Sequence, residues 1–94
     1  MVCKRVFLSG KVQGVSFRFH AHEMGTKLAL NGWVRNLPDG RVEILVAGTE
    51  AHVDTMIKWA RKGPATAEVK DVEIHDVKEG IPKELFFIRR ESTK

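Results

Sequence analysis

GKVQGVSFR, running from Gly10 to Arg18, is the stretch on which the reading of this chain turns. It begins where an alternating apolar segment ends, passes through a loop punctuated by Gly10 and Gly14, and enters a helix one residue before an arginine. The backbone amides of a helix's first turn have no partner within the helix, and the positive end of the helix dipole lies beside them. A glycine-containing loop can turn further amides toward the same point. Arg18 adds a planar fork of donors suited to phosphate or carboxylate oxygens. The stretch therefore predicts strand, loop and helix in succession, with an anion cradle at the junction.

Working outward, Val6 and Leu8 alternate with Arg5, Phe7 and Ser9, as in a half-buried strand. Phe17, Ala21, Met24 and Leu28 recur at helical spacing and form one apolar stripe. Gly32 to Asn36 reads as a short strand, and Leu37-Pro38-Asp39-Gly40 as a tight turn. The next strand runs from Val42 to Ala47, with Val42, Ile44 and Val46 on one face. Thr49 is placed to cap a second helix, whose stripe is Val53, Met56, Ile57 and Ala60 and which Gly63-Pro64 ends. A strand over Val69 to Val77 changes its alternation and predicts a bulge near Asp71. A last strand is expected over Leu85 to Arg90 with Phe86 and Ile88 inward, and Lys94 and its neighbours are expected to be frayed.

The resulting β-α-β-β-α-β order predicts an α+β, ferredoxin-like sandwich, with two helices packed on one face of a mainly antiparallel sheet. The 94 residues fit a single domain spanning residues 1–94. No run is long and apolar enough for a membrane helix, and the first residues lack the core of a signal peptide. A lone cysteine, Cys3, cannot form an internal disulfide; near the chain start it reads as an incidental thiol. These features give a cytoplasmic expectation. The formal charge of +4 favours anionic partners in general, but the basic residues are scattered and do not indicate nucleic acid.

The second informative stretch is Asn31 to Gly40, NGWVRNLPDG. Together with the first it resembles the acylphosphatase family. The matching residues are Gly10, Val12, Gln13, Gly14, Val15, Phe17 and Arg18, then Gly32, Trp33, Val34 and Asn36. The later Trp59, Gly63 and Pro64 and the strand after them are similar too, so the resemblance covers nearly the whole chain. It implies hydrolysis of an acyl phosphate to carboxylate and inorganic phosphate. Arg18 and the loop amides of Gln13, Gly14, Val15, Ser16, Phe17 and Arg18 would bind the phosphoryl group, and Asn36 would orient the attacking water. The family resemblance implies no metal, no cofactor and no phosphoenzyme. A monomer acting on a small molecule is expected, with inorganic phosphate as product or inhibitor and neither nucleic acid nor membrane as partner. Where the family commonly carries glycine this chain has Ala29; the chain reversal is then expected to move downstream to Asn31-Gly32. Gly25 should weaken the first helix relative to alanine, by roughly 1 kcal/mol.

Taken singly, these residues have ordinary explanations. An arginine on a first helical turn is usually a surface charge, an asparagine before a turn is usually a turn former, and the glycines could serve only the reversal. Their joint spacing is what favours a site. Other constellations carry less. His20 and His22 stand two apart on a helix and diverge, and Thr26 occupies the second histidine position of an H-E-x-x-H pattern begun by His22 and Glu23. Gly10 and Gly14 do not make a P-loop, because the spacing is short and no Gly-Lys-Ser/Thr follows. Trp33 and Trp59 read as packing residues. The rival reading is a non-catalytic ferredoxin-like binding module, either RNA-recognition-like or a small-anion regulatory domain. Val6 to Gly10 resembles the first-strand motif of an RNA-recognition module, but Arg41 to Val46 lacks the aromatics such a module places on its third strand. Nothing in the chain designates a pocket for a particular acyl group.

Overall fold

The computed structural model describes residues 1–90, so the frayed end expected around Lys94 lies outside the described residues. Its elements are β1 (Val2–Lys11), α1 (Phe17–Lys27), β2 (Asn31–Asn36), β3 (Val42–Gly48), α2 (Glu50–Lys62), β4 (Glu68–Asp76) and β5 (Phe87–Ile88). The sheet order is β4-β1-β3-β2-β5, the ferredoxin-like order with a short strand added at one edge. β1 pairs antiparallel with β3 and β4, and β2 with β3, whereas β5 runs parallel to β2.

Strand alternation divides the buried residues into two layers. Val6 and Leu8 of β1, Val34 of β2, and Val42, Ile44 and Val46 of β3 meet Phe17 and Ala21 of α1 and Val53, Met56, Ile57 and Ala60 of α2. The opposite sheet face carries a smaller cluster of Cys3, Trp33, Leu45 and Ala47. β1 is a central strand paired along both edges, and it extends beyond the segment whose alternation is visible in sequence. Cys3 is consequently 4% exposed rather than loose at the chain start. Burial pushes its thiol pKa up, with Arg5 pulling weakly the other way, so the thiolate is disfavoured.

The caps and turns form where their chemistry predicts. The Thr49 hydroxyl accepts from the His52 amide at 3.3 Å, and Gly63 occupies the C-cap of α2. The Gly40 amide donates to the Leu37 carbonyl at 3.1 Å, closing the β2–β3 turn. In β4 the ladder passes from Ser9 opposite Asp71 to Gly10 opposite Val69, so Lys70 is the extra residue, next to the expected Asp71.

Three local expectations change. The last strand is two residues long rather than six, although Phe86 and Ile88 do face the helix-side core. Ala29 keeps the chain reversal that was expected to move downstream. Its φ is 55°, its amide donates to the Thr26 carbonyl at 3.0 Å, and the Leu30 amide donates to the Gly25 carbonyl at 2.9 Å. This is a Schellman ending with alanine in the left-handed position. Gly25, which helix propensity alone marks as a weakness, lies against Phe86: a Cβ there would stand 2.5 Å from the ring's Cγ. The missing side chain makes room for the last strand.

Candidate active site

The loop between β1 and α1 is held at both sides by side chains. The Nε2 of Gln13 donates to the carbonyls of Leu37 and Arg41, at 2.8 and 2.9 Å, and so ties the loop to the turn that follows Asn36. On the other side, the Thr66 hydroxyl donates to the Val15 carbonyl at 2.8 Å. Between these tethers, Gly14 has φ 73° with open space around the position of a Cβ, so its backbone angle is what calls for glycine. Ser16 is also left-handed, at φ 61°, and its side chain makes no capping bond to the helix it precedes. A non-glycine residue in this region costs about 1 kcal/mol or more, and such strain concentrates where backbone groups are aimed at a ligand.

The loop's amides are left unused by the fold. Among the described residues, the His20 amide is the first of α1 to find an acceptor, on the Ser16 carbonyl at 3.2 Å; the amides of residues 13–19 have none. A left-handed residue followed by a helical one is the arrangement that forms an anion-binding nest. The positive end of α1 adds to it.

Arg18 and Asn36 both line a small cleft of about 190 Å³ against this loop, together with Gly14, Ser16 and Phe17. Asn36 is the last residue of β2 and shares the helix-facing side of the strand with Val34, which directs it toward the start of α1. Its Oδ1 is buried without a hydrogen-bond partner among the described residues. A buried carboxamide oxygen that the fold leaves unsatisfied has unused capacity to accept from a bound molecule. Gln13 and Val15 do not contribute to the walls of this cleft; the Gln13 side chain serves the turn, and Val15 lies toward Thr66.

Arginines that sequence reasoning passed over complete the surroundings. Arg90 lines the same cleft as Arg18 and Asn36. A larger groove of about 610 Å³ opens beside it, walled by Arg18, Arg35, Asn36, Leu37, Pro38, Arg89 and Arg90. Parallel pairing of β5 with β2, fixed further by the Arg89 amide donating to the Val34 carbonyl at 2.8 Å, brings Arg89 and Arg90 there. Trp33 packs, as expected, and also serves as a platform: the guanidiniums of Arg35 and Arg89 lie 5.0 and 4.8 Å from its ring centroid. Trp59 packs against Phe17 at 5.3 Å. His20, His22 and Glu23 instead line a surface cleft with Trp59, away from Arg18 and Asn36.

Fold and cleft together define a small two-layer α/β protein whose amide-lined, arginine-rich cleft is suited to a compact anion. Comparison with known proteins makes the class specific. The Acylphosphatase family model matches residues 4–88, and the chain belongs to the acylphosphatase family of enzymes. It is 45% identical to the acylphosphatase of Acaryochloris marina, over 81% of this chain and 82% of that one. The crystal structure of acylphosphatase from Bacillus subtilis superposes with a TM-score of 0.87 at 34% identity, covering 96% of this chain and all of that one (100%). An acylphosphatase from Coxiella burnetii gives 0.83 at 33% identity, covering 94% and 92%. Hydrolysis of acyl phosphates is the activity to which this family and fold point.

Proposed function

We propose that the chain hydrolyses acyl phosphates by direct attack of a water molecule on phosphorus, with Arg18 and the loop amides of Gln13 to Arg18 holding the phosphoryl group and Asn36 aiming the water. The observation that carries this reading is the shared cleft. Arg18, on the first turn of α1, and Asn36, at the end of β2, line it beside amides the fold leaves unbonded. The new bond joins the water oxygen to phosphorus. The bond that breaks links phosphorus to the acyl oxygen, whose electron pair leaves on the carboxylate. One water proton stays on the new phosphate hydroxyl and the other passes to a phosphoryl oxygen.

So spare a site suffices because of the leaving group. A carboxylate's conjugate acid has a pKa of about 4, so no general acid is needed. Phosphoryl transfer asks mainly for positioning and charge stabilisation. A unit charge pair 4 Å apart is worth about 4 kcal/mol at an effective dielectric of 20. Only the part that grows in the transition state speeds the reaction. Asn36 has no useful basicity and acts by orientation.

The proposal includes a metal-independent, monomeric, cytoplasmic enzyme that works on a small molecule rather than on nucleic acid or a membrane. Among the described residues, no three His, Cys, Asp or Glu side chains are grouped to hold a metal ion, and no helix is long and apolar enough to cross a membrane. Phe7, the aromatic that suggested RNA stacking, is covered by the Arg41 guanidinium 4.7 Å from its ring and flanked by His75. The test is hydrolysis of benzoyl phosphate with EDTA present and inorganic phosphate added as competitor. Turnover that survives EDTA and is inhibited competitively by phosphate is expected. Inactivity, or activity abolished by EDTA and restored by a divalent cation, would overturn the reading.

A further inference from the structure

The cleft that holds Arg18 and Asn36 has an apolar edge for which the phosphoryl chemistry has no use. Among the described residues four large apolar side chains are exposed, Met1, Phe19, Ile81 and Leu85. Met1 opens the chain, and Ile81 and Leu85 lie between β4 and β5. Phe19 alone of the four lines the cleft, with Gly14, Ser16, Arg18 and Asn36. It is 55% exposed, whereas Val12 and Phe17 of the same lining are 1% exposed, so its ring stands at the solvent end. Phe19 lies outside the Phe17-Ala21 stripe that packs α1 on the sheet, and the core gives no reason for an aromatic there. A single exposed apolar side chain is ordinary on a protein surface. This one shares its cleft with the unsatisfied Oδ1 of Asn36 and with amides the fold leaves unbonded.

The size of the cleft says what the ring can meet. Pockets that enclose a whole small-molecule ligand measure about 300–1,000 Å³. This cleft is about 190 Å³, which suits a phosphoryl group without the acyl portion. With the phosphoryl group against Arg18 and the loop amides, the acyl portion extends past the rim, where Phe19 offers a flat apolar face. The ring leans on that of His20, with centroids 5.4 Å apart and planes tilted by 56°, which limits its freedom before a substrate arrives. A planar acyl group laid on it withdraws apolar surface of both partners from water. We propose, on the basis of the acyl phosphate reading above, that Phe19 is a stacking surface for the acyl portion. The enzyme then favours acyl phosphates whose acyl group is aromatic.

The test compares kcat/KM for benzoyl phosphate and acetyl phosphate in the wild type, Phe19→Ala and Phe19→Tyr. The two substrates differ in intrinsic reactivity, but that difference is the same for every variant and cancels when their ratios are compared. Phe19→Ala should lower the benzoyl-to-acetyl ratio about fivefold, the scale of one aromatic pair. Phe19→Tyr, which keeps the ring, should hold the ratio within about twofold of the wild type. The loss in Phe19→Ala should fall on the KM for benzoyl phosphate rather than on kcat, as for a contact made equally in ground and transition states. A variant that merely disturbed the neighbouring Arg18, or lost folded enzyme, would slow both substrates alike and leave the ratio where it was. A ratio unchanged by Phe19→Ala, or lowered as far by Phe19→Tyr, would overturn the stacking surface while leaving the hydrolase reading intact. Failure of the wild type to hydrolyse either substrate would overturn both.

Discussion

Ala29→Gly should stabilise this protein, and the size of the effect follows from the end of α1. Ala29 sits at φ 55°, where its Cβ crowds the backbone, at the position of a Schellman ending that is usually glycine. Left-handed backbone costs a non-glycine L-residue roughly 1–2 kcal/mol. Glycine removes that strain but brings greater freedom in the unfolded chain, which returns about 0.5–1 kcal/mol. Ala29 is exposed, so deleting its methyl opens no cavity. The net gain is about 0.5–1 kcal/mol, which for a domain of this size raises Tm by about 2–8 °C. Urea unfolding at 25 °C, followed by tryptophan fluorescence, measures the same quantity, with an unchanged m-value as the sign that only stability moved. Ala29→Val, β-branched at the same backbone angle, should shift the midpoint in the opposite direction. A neutral or destabilising Ala29→Gly would refute the assignment of strain to this residue.

Gly25→Ala should destabilise the fold by about 1–2 kcal/mol in the same assay, because the collision with Phe86 outweighs the gain in helix propensity; stabilisation would show that propensity governs the site. Gln13→Ala should lower kcat about tenfold by freeing the turn that follows Asn36. Gln13→Glu should lower it further, since a carboxylate would face two carbonyls, and steady-state kinetics with wild-type secondary structure by circular dichroism would separate this from unfolding. The Asp39 carboxyl is held below its usual pKa, first by the Arg41 amide and then by the Arg41 guanidinium, and Asp76 is held below its usual value by Lys4. Their contribution is complete above the unfolded carboxylate pKa of about 3.9 and is lost as pH falls through the lower folded values. Urea midpoints should therefore be level from neutral pH to about pH 4 and decline below it, less steeply in Asp39→Asn.

Much of this architecture was legible because its signals are local. The stripes Phe17-Ala21 and Val53-Met56-Ile57-Ala60, the Thr49 cap and the Pro38-Gly40 turn each depend on residues close in sequence, and all are found in place. The loop from Gly10 to Arg18 was legible for the same reason, at a predicted strand end and helix start, whereas its pairing with Asn36 came from the resemblance to the acylphosphatase family. What escaped depends on long-range pairing. Arg89 reaches the groove, and Arg90 both groove and cleft, only because β5 runs parallel beside β2, a contact that two residues of strand do not announce. Gln13 reads as a backbone contributor until its side chain is seen to hold the next turn. Gly25 looks like a flaw in a helix until Phe86 is laid across it. Ala29 shows the converse, a residue at which backbone propensity would move the reversal and the two bonds of the helix ending keep it.

The central claim is a division of labour between the phosphoryl cradle and the residue that aims the water, and Asn36→Ala probes it most directly. The measurement is kcat on benzoyl phosphate alongside the inhibition constant for inorganic phosphate, with Arg18→Ala taken through the same pair of assays. Asn36→Ala should lose at least about a hundredfold in kcat while phosphate inhibition changes by no more than about threefold, the pattern of an interaction made chiefly in the transition state. Arg18→Ala should lose both turnover and phosphate binding. Wild-type turnover in Asn36→Ala, or loss of phosphate binding equal to that of Arg18→Ala, would contradict the account.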